Sequence, residues 1–330
     1  MKKMKQLIKL IVIAAVLLVN FRPFAMVSAQ ENETLDIAIV QIVSHDSLDQ
    51  IVQGIKDGLA EGGYVEGDNL SIEFHNAEGD INLLSTIAEQ VVSNEPDLIF
   101  AVTTPVAQAF QNQTDDIPVV MAGVTDPVSA GVVETLEVPG GNITGTSDAI
   151  NLEEHFDLML QIDPSIEKVG MIYTTSEDNA QAEIETAKEA AEALGLEVRV
   201  EGIATTLDMQ MVAEMLSSDV DAIYVGSDNT IASAFDTLLD ATDRMNIAVF
   251  PSVDIMVAQG GLAALAINQA DLGLQAAQMG LEVLGGAAIS EMPVQFVKEL
   301  RLVYNSDAAE RLGIEIPADL KDQLEDLSGE

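Results

Sequence analysis

Two short segments of the chain place Ser, Asp and Asn side by side where an apolar run gives way to an amphipathic one. They are MIYTTSEDNAQAEIE (171–185) and IYVGSDNTIASAF (223–235). Polar side chains at the start of a helix can cap its free backbone N–H groups. The same groups can bind a ligand carboxylate, and a carboxylate side chain there can bind an ammonium group. Two interpretations therefore stay open, helix capping and a ligand site.

Comparable polar residues follow the other predicted strands. In a parallel α/β sheet the carboxyl ends of the strands share one edge, and ligands bind at that edge. The candidate ligand-binding residues are Ser44, His45, Thr103, Thr104, Thr125 and Asp126 in the first half of the chain, and Thr175, Ser176, Asn179, Asp228, Asn229, Thr230 and Asp254 in the second. Hydroxyls beside carboxylates suit a zwitterion such as an amino acid.

Among these candidates the carboxylates differ in context. Asp254 follows an apolar run and Pro251, and we expect it to bind the ligand ammonium, with Asp228 as the next candidate. Asp126 precedes a proline and also suits a turn. For an apolar ligand side chain, the candidate aromatic walls are Phe156, Tyr173, Tyr224 and Phe250.

The elements that must position these residues alternate along the chain. Apolar, β-rich runs predict strands, and stretches with helical periodicity follow them, as in SLDQIVQGIKDGLAEGG (47–63). Residues 124–150 are rich in Gly, Pro and Thr, contain no clear helix and suit a hinge, after which the alternation restarts. This pattern predicts an α/β protein with two doubly wound parallel-sheet lobes and a cleft between them. The expected lobes are 30–147 with about 268–298, and 148–267 with about 299–330.

The N-terminus has the pattern of an export signal at residues 1–29. MKKMKQLIK is basic, LIVIAAVLLV is apolar, and Val27-Ser28-Ala29 suits a cleavage site. We expect an exported periplasmic or extracellular protein, although the same segment is compatible with an uncleaved anchor. The chain has no cysteine, which excludes disulfides and a lipid-bearing cysteine.

The charge of the chain is strongly negative. All 55 acidic residues follow Ala29, whereas five of the 14 basic residues precede it, so the chain from Gln30 onward carries 9 minus 55, or −46. Such a field repels nucleic acid and anionic membranes. Because the acids are dispersed over the whole chain, they favour adaptation to high salt over a cation-binding surface.

Sequence motifs for catalysis are lacking. The chain contains no phosphate-binding loop and no Gly-x-Ser-x-Gly elbow, and His45, His75 and His155 lack metal-ligand spacing. We expect no cofactor, no metal and no enzymatic activity.

Several segments in register resemble one family. These are DGLAEGGYVEGDNL, HNAEGD, TTPVAQAF, VVMAGVTDPVSAGVV, PGGNITGTSD, TTSEDNAQ, SDNTIASAF and FPSVDIMVAQGGLAALAIN, between about Ile37 and Ile316. They resemble ABC-transporter substrate-binding proteins of the tryptophan/tyrosine-binding group, which have the type I periplasmic-binding fold. The resemblance implies a receptor that closes on an aromatic or other hydrophobic amino acid and delivers it to a membrane permease and ATPase. By the same resemblance the TTP, TDP, SEDN and SDNT corners and Asp254 would line the cleft.

Three functions remain for the structure to separate. The first is a monomeric transport receptor, which the export signal, the two predicted lobes and the polar corners favour. The second is a ligand-sensing module of a membrane receptor, which would share the same fold. The third is a secreted hydrolase that uses carboxylates in the cleft.

Overall fold

Three β-sheets organise the chain, and the computed structural model describes residues 34–329. The predicted export signal lies outside these residues. In chain order the strands are β1 (Leu35–Gln41), β2 (Leu70–Asn76), β3 (Leu98–Val102), β4 (Val119–Ala122), β5 (Ile143–Ser147), β6 (Lys168–Thr174), β7 (Glu197–Ile203), β8 (Ala222–Val225), β9 (Ala248–Pro251), β10 (Ala263–Ala266), β11 (Gln295–Phe296), β12 (Arg301–Tyr304) and β13 (Glu325–Asp326).

Helices connect most of these strands. They are α1 (Asp46–Glu61), α2 (Ile81–Ser93), α3 (Thr104–Gln111), α4 (Leu152–Ile162), α5 (Asp178–Ala193), α6 (Met209–Ser217), α7 (Asn229–Ala232), α8 (Phe235–Asp243), α9 (Asp254–Ala258), α10 (Gln269–Leu284), α11 (Ser306–Leu312) and α12 (Ala318–Lys321). Short 3₁₀ turns occur at Thr206–Asp208 and Ile289–Glu291. None of the helices in residues 34–329 is long and apolar enough to cross a membrane.

The first sheet has the strand order β11-β5-β4-β3-β1-β2, and all its pairs are parallel. The inner strands of this sheet, β1, β3 and β4, are nearly continuous apolar runs, as expected where helices cover a parallel sheet. Its core draws on residues 37–143 and 267–294. We call this sheet and the helices packed on it lobe 1.

The second half of the chain contains two sheets. One is parallel with the order β7-β6-β8-β9, and the other has the order β10-β12-β13. In the latter, β10 runs antiparallel to β12, so the apolar run LAALAIN does not extend the parallel sheet. The cores of these sheets draw on residues 152–266 and 303–327. We call this half lobe 2, and the chain crosses between the lobes at 148–151, 267–268 and 297–300.

Strand β5 lies inside the segment that the sequence suggested was a hinge. Its composition is unusual for a strand because β4 approaches it closely. A Cβ atom on Gly145, where φ is 149°, would lie 2.0 Å from the carbonyl oxygen of Met121. Only glycine fits there, and Gly145 with the hydroxyl residues of ITGTS interrupts the apolar pattern although the strand is fully buried.

Glycines also fix the position of α1, the helix that begins at the cleft. A Cβ atom on Gly54 would lie 2.1 Å from the carbonyl oxygen of Ala270, and one on Gly273 would lie 2.0 Å from that of Ile51. Helices α1 and α10 therefore pack with their backbones in contact. This contact holds the first turn of α1 at the carboxyl edge of the first sheet.

Candidate functional site

A cavity of about 30 Å³ lies where the carboxyl ends of the strands of the two lobes face each other. Its walls come from the segments that follow β1, β3, β4, β5, β6, β8 and β9, as expected for ligand sites in open α/β sheets. The lining residues are His45, Ser47, Leu48, Ile51, Thr103, Gly123, Thr125, Asp148, Asn179, Ser227, Asp228, Asn229, Ala232, Val253, Met256 and Gln269. We call this cavity the cleft.

Part of the candidate set predicted from sequence meets in the cleft. The candidates that line it are His45, Thr103, Thr125, Asn179, Asp228 and Asn229. Ser176 and Thr230 line a neighbouring groove at the rim of the cleft instead.

Three other hydroxyl candidates and Asp126 lie outside the cleft lining. Ser44 donates from Oγ to Asp49 Oδ2 over 2.7 Å, and Thr175 donates from Oγ1 to the Ile203 carbonyl over 3.1 Å. Thr104 is buried at the start of α3. Asp126 accepts bonds from the N–H and hydroxyl of Ser129 at 2.9 and 2.6 Å, which makes it a turn residue.

Asp254, the expected ammonium partner, does not line the cleft. Its Oδ2 lies 3.0 Å from Nη1 of Arg301, and its Oδ1 accepts the Ile255 N–H over 2.9 Å. Burial raises the pKa of the Asp254 carboxyl to about 6. The positive charge beside it is supplied by a guanidinium on β12, which the pairing of β10 with β12 brings alongside.

Four polar atoms of cleft residues are buried without a hydrogen-bond partner in residues 34–329. They are His45 Nε2, Thr103 Oγ1, Asp148 Oδ1 and Asn179 Oδ1. An unsatisfied buried polar group costs about 1–3 kcal/mol, so such groups are rare in folded proteins. Their convergence on one cavity makes this cavity the candidate site for a polar ligand.

Thr103 also has an unusual backbone conformation. Its φ and ψ are 84° and 163°, in a region that is essentially restricted to glycine. The residue is buried, and its N–H donates to the Ala122 carbonyl over 3.0 Å. Its hydroxyl does not cap α3, although Thr103 occupies the cap position. A threonine retained in a strained glycine conformation indicates a role for its side chain.

His45 has the same arrangement at the start of α1. It occupies the cap position of the helix, but its side chain makes no capping bond. Burial lowers the pKa of His45, which keeps the imidazole neutral near pH 7. The first turns of α1 and α3 thus face the cleft with no side-chain cap from these two residues.

Asp228 shows the opposite behaviour in lobe 2. Its Oδ1 accepts the hydroxyl of Thr174 over 2.8 Å and the N–H of Ile231 over 2.9 Å, and its Oδ2 accepts the Thr174 N–H. Burial and the neighbouring charge of Glu177 raise the pKa of Asp228 to about 7. Asp228 therefore caps α7 and joins the two polar segments at 171–185 and 223–235.

Glu177 makes a second link between the same two segments. It accepts from Nδ2 of Asn229 over 2.6 Å, and from the N–H and hydroxyl of Thr230 over 2.9 and 2.7 Å. The similar polar residues of these two segments therefore mainly bond each other and stabilise lobe 2. Asn179 is the exception, because its Nδ2 donates to the Ser227 carbonyl over 2.7 Å and leaves Oδ1 free at the cleft.

Asp148 is the main cleft residue that sequence analysis missed. It directly follows β5, and burial raises the pKa of its carboxyl. The rule that ligands bind at carboxyl ends of strands would have found Asp148, but β5 was not recognised as a strand. Its Oδ1 is the only unpartnered carboxylate oxygen among the described cleft residues.

The apolar wall of the cleft was also missed. It is aliphatic and consists of Leu48 and Ile51 from α1 with Ala232, Val253 and Met256 from lobe 2. The aromatic candidates Phe156, Tyr224 and Phe250 are instead fully buried in the core of lobe 2. In the sequence, an aromatic residue of the core cannot be distinguished from one that lines a ligand site, because both lie in apolar segments.

Within residues 34–329, the hydrogen bonds that join the lobes beside the cleft include two from glutamine side chains. Gln259 of lobe 2 donates from Nε2 to Asp46 Oδ2 over 3.0 Å, and Gln108 of lobe 1 donates from Nε2 to Asp178 Oδ2 over 2.9 Å. Within residues 34–329 no cluster of three or more His, Asp or Glu side chains could hold a metal ion.

Comparison with known proteins decides the family. The family model described as ABC transporter substrate binding protein matches residues 36–325. The chain belongs to this family. A relative from Clostridioides difficile (strain R20291), named tyrosine-binding protein, is 35% identical over 294 residues, covering 87% of this chain and 85% of the relative.

Two solved structures show the same fold in two states. A Streptococcus pneumonia structure, described as an ABC domain in complex with L-Trp, has a TM-score of 0.85 at 39% identity and covers 88% of this chain and 98% of its own. A Clostridium difficile substrate-binding protein, described as ligand-free and open, has a TM-score of 0.68 at 34% identity over 88% and 99%. The family and the type I periplasmic-binding-protein fold implied by the sequence are confirmed.

Proposed function

We propose that this substrate-binding protein holds a zwitterionic amino acid with an aromatic or other hydrophobic side chain in the cleft. It delivers this ligand to the permease and ATPase of an ABC importer. The observation that carries the proposal is the set of four unpartnered polar atoms around one cavity. The name of the tyrosine-binding relative and the L-Trp in a similar structure favour the aromatic class.

The α-carboxylate of the ligand is assigned to lobe 1. Ser47 lies in the first turn of α1, and the hydroxyl of Thr103 lies at the start of α3. Both helices present N-terminal backbone N–H groups and the positive end of the helix dipole, which favour an anion. The neutral His45 imidazole can donate a further hydrogen bond from Nε2 in the appropriate tautomer.

The α-ammonium is assigned to Asp148 and Asn179. Both side chains offer an unpartnered acceptor oxygen, and an ammonium carries three donors. Its positive charge would stabilise the ionised form of the buried Asp148 carboxyl. Asp148 thereby takes the role that the sequence suggested for Asp254.

Ligand entry requires the lobes to separate. A cavity of about 30 Å³ is far smaller than the several hundred Å³ typical of sites for small organic ligands. The greater similarity to the L-Trp-bound structure than to the open one supports a closed form here. The ligand would bind the open form, and the interlobe bonds of Gln259 and Gln108 would then form on closure.

The proposed setting is outside the cytoplasm. The export pattern at residues 1–29 and the family support this location. We further propose that the protein is a monomer adapted to high salt, because its dispersed carboxylates repel one another at low ionic strength. Its melting temperature should then rise with NaCl concentration, whereas a flat response would contradict this adaptation.

Calorimetric titration with the twenty amino acids in high-salt buffer tests the function. We expect binding without turnover, and a loss of affinity of about 100-fold on Asp148→Asn, because charged hydrogen bonds contribute about 1.5–3 kcal/mol. Asp254→Asn is the matched control, since Asp254 bonds Arg301 away from the cleft, and its affinity should stay unchanged. Unchanged affinity in Asp148→Asn, or an equal loss in both variants, contradicts the assignment.

A further inference from the structure

A second cavity, of about 290 Å³, adjoins the cleft at the crossing segment 148–151. It shares Thr125 and Asp148 with the cleft lining. Helix α5 of lobe 2 forms one wall, and the remaining lining is mainly apolar and includes Pro127, Leu136, Ile150, Leu152 and Phe296. We call this cavity the side pocket. Both lobes contribute residues to it.

The side pocket offers the room that the cleft lacks. A cleft of about 30 Å³ cannot hold an aromatic ring, whereas 290 Å³ is close to the lower end of the range for small-molecule sites, about 300 Å³. The aliphatic wall of the cleft is already packed, since Leu48, Ile51 and Met256 are only 4%, 2% and 1% exposed. A bulky hydrophobic side chain of the ligand therefore needs a second cavity.

Asp148 connects the two cavities. Glu183, the other buried carboxyl of the side pocket, has both oxygens occupied, because Oε1 accepts the Tyr224 hydroxyl over 2.6 Å and Oε2 accepts the Ser227 N–H over 2.8 Å. Asp148 instead leaves Oδ1 buried without a partner among the described residues. In an amino acid, the ammonium nitrogen and the first side-chain carbon are attached to the same Cα. An ammonium bonded to Asp148 therefore places the side chain at the entrance of the side pocket.

The polar groups of the side pocket restrict the side chain that fits. The hydroxyls of Ser147 and Thr186 already donate to backbone carbonyls, each over 3.2 Å. The carboxyl groups of Asp126, Asp148 and Glu183 also line this cavity. An acidic side chain would be repelled by these carboxyl groups, so the lining favours an uncharged, largely apolar group.

We propose that the side pocket binds the aromatic side chain of the ligand, while the cleft binds its carboxylate and ammonium groups. This inference rests on the proposed function, because it takes Asp148 as the ammonium partner. The ring passes Asp148 and packs against Phe296, whose side chain is 39% exposed in this structure. Contacts between aromatic rings add to the gain from apolar burial. Residues of the side pocket then determine which hydrophobic amino acid binds.

Titration calorimetry of Thr186→Phe with L-tryptophan and L-alanine tests this inference. Thr186 is exposed on α5, and a long helical side chain covers the turn that precedes it, so the added ring fills the side pocket. We expect L-tryptophan affinity to fall at least about 10-fold and L-alanine affinity to change less than about 2-fold. Ala193→Phe is the control, because Ala193 is exposed on the same face of α5 about two turns further along. It should change neither affinity.

Phe296→Ala provides a second variant that removes a wall instead of filling the pocket. It should weaken L-tryptophan binding about 3- to 10-fold and leave L-alanine binding unchanged, because only the larger ligand loses apolar contact. Unchanged L-tryptophan affinity in both variants overturns the side pocket as the ring site, and so do equal losses for the two amino acids. Either result leaves the proposed function in place. A wild type that binds no amino acid overturns the proposed function, and the side pocket with it.

Discussion

The two lobes present polar side chains to the same cleft in different ways. In lobe 2, Asp228 bonds Thr174 and caps its own helix, so its oxygens are occupied within the protein. In lobe 1, His45 and Thr103 occupy helix cap positions but make no capping bond, and each leaves a buried polar atom without a partner. A polar residue at a strand–helix junction is therefore a structural cap when it bonds its own helix, and a ligand contact is inferred when it does not.

This difference has an energetic consequence. The bonds of Asp228 stabilise lobe 2 whether or not ligand is present. The unpaired hydroxyl and strained backbone of Thr103 reduce the stability of lobe 1, and by our proposal a ligand supplies the missing partner of the hydroxyl. We therefore expect variants in the two lobes to separate folding stability from ligand affinity.

The largest expected effect is on folding, from Asp228→Ala. The substitution leaves the N–H groups of Thr174 and Ile231 buried without an acceptor, so the free energy of unfolding should fall by about 3–5 kcal/mol. Urea denaturation followed by circular dichroism measures the loss. Asp126→Ala is the control, because Asp126 bonds only the exposed turn at Ser129 and its removal should change stability by less than about 1 kcal/mol. Equal losses of unfolding free energy in the two variants would show that the hydrogen bonds of Asp228 do not stabilise lobe 2 more than a surface turn does.

Thr103→Gly should have opposite effects on stability and on affinity. Glycine relieves a backbone strain of about 1–3 kcal/mol, so the melting temperature should stay constant or rise. Loss of the hydroxyl should weaken amino acid binding about 10-fold. Thr104→Ala is the control, because Thr104 also has a buried unpartnered hydroxyl but lies outside the cleft lining. If Thr103→Gly binds as tightly as wild type, the comparison between the lobes fails.

The pH dependence of stability should reflect the Asp228 carboxyl. Its pKa in the folded protein is about 7, above the ordinary 3.8, so the folded state holds a proton that the unfolded state has lost. This contribution to stability is complete below about pH 3.8 and is lost as pH rises through about 7, by about 1 kcal/mol between pH 6 and pH 8. The pKa of Asp254, raised to about 6, adds in the same direction.

Two histidines change stability with pH in the opposite direction, so a variant of Asp228 is needed to isolate its contribution. Burial lowers the pKa of His45 and of His155, the latter to about 4. The contribution of each histidine to folding stability is therefore lost as pH falls below the unfolded pKa of 6.5. The melting temperature at pH 6 minus that at pH 8 should therefore be lower in Asp228→Asn than in wild type. An identical difference in both proteins would show that Asp228 does not titrate in this window.

The smallest effect concerns the bonds between the lobes. Gln259→Ala removes the interlobe bond to Asp46, which should weaken ligand affinity about 3- to 10-fold, since this bond is exposed to water and should contribute only about 0.5–1.5 kcal/mol. Gln53→Ala is matched to it, because Gln53 makes the same kind of bond to Asp57 within α1. Titration calorimetry on both variants measures the difference. If the two affinities are equal, closure does not depend on the Gln259 bond.

Much of the fold could be predicted from the sequence, because apolar strands and amphipathic helices alternate with clear periods. The strand β5 could not, because the close approach of Met121 requires glycine, and Gly145 among hydroxyl residues leaves no continuous apolar run to mark the strand. The same omission concealed Asp148. Secondary-structure propensity depends on the local sequence, whereas the need for glycine at position 145 comes from the neighbouring strand β4.

The site could be predicted in its location but only partly in its residues. The position of His45, Thr103 and Asn179 at the carboxyl edge of the sheets agrees with the cleft lining, and their contact with ligand stays a prediction. Asp254 follows a strand in the same way, yet Arg301, 47 positions further along the chain, neutralises it. The sequence shows which residues lie at the carboxyl edge of a sheet. It does not show which of them are hydrogen-bonded to residues distant in the chain.

The binding of L-tyrosine and two of its analogues tests most directly whether the cleft pairs both charges of a zwitterion, the carboxylate at α1 and α3 and the ammonium at Asp148 and Asn179. Tyramine lacks the carboxylate assigned to lobe 1, and 3-(4-hydroxyphenyl)propionate lacks the ammonium assigned to Asp148. Calorimetric titration should give binding of L-tyrosine and at least about 100-fold weaker binding of each analogue, since each loses charged hydrogen bonds and leaves buried groups unpaired. An analogue that binds as tightly as L-tyrosine would contradict the pairing of both ligand charges in the cleft.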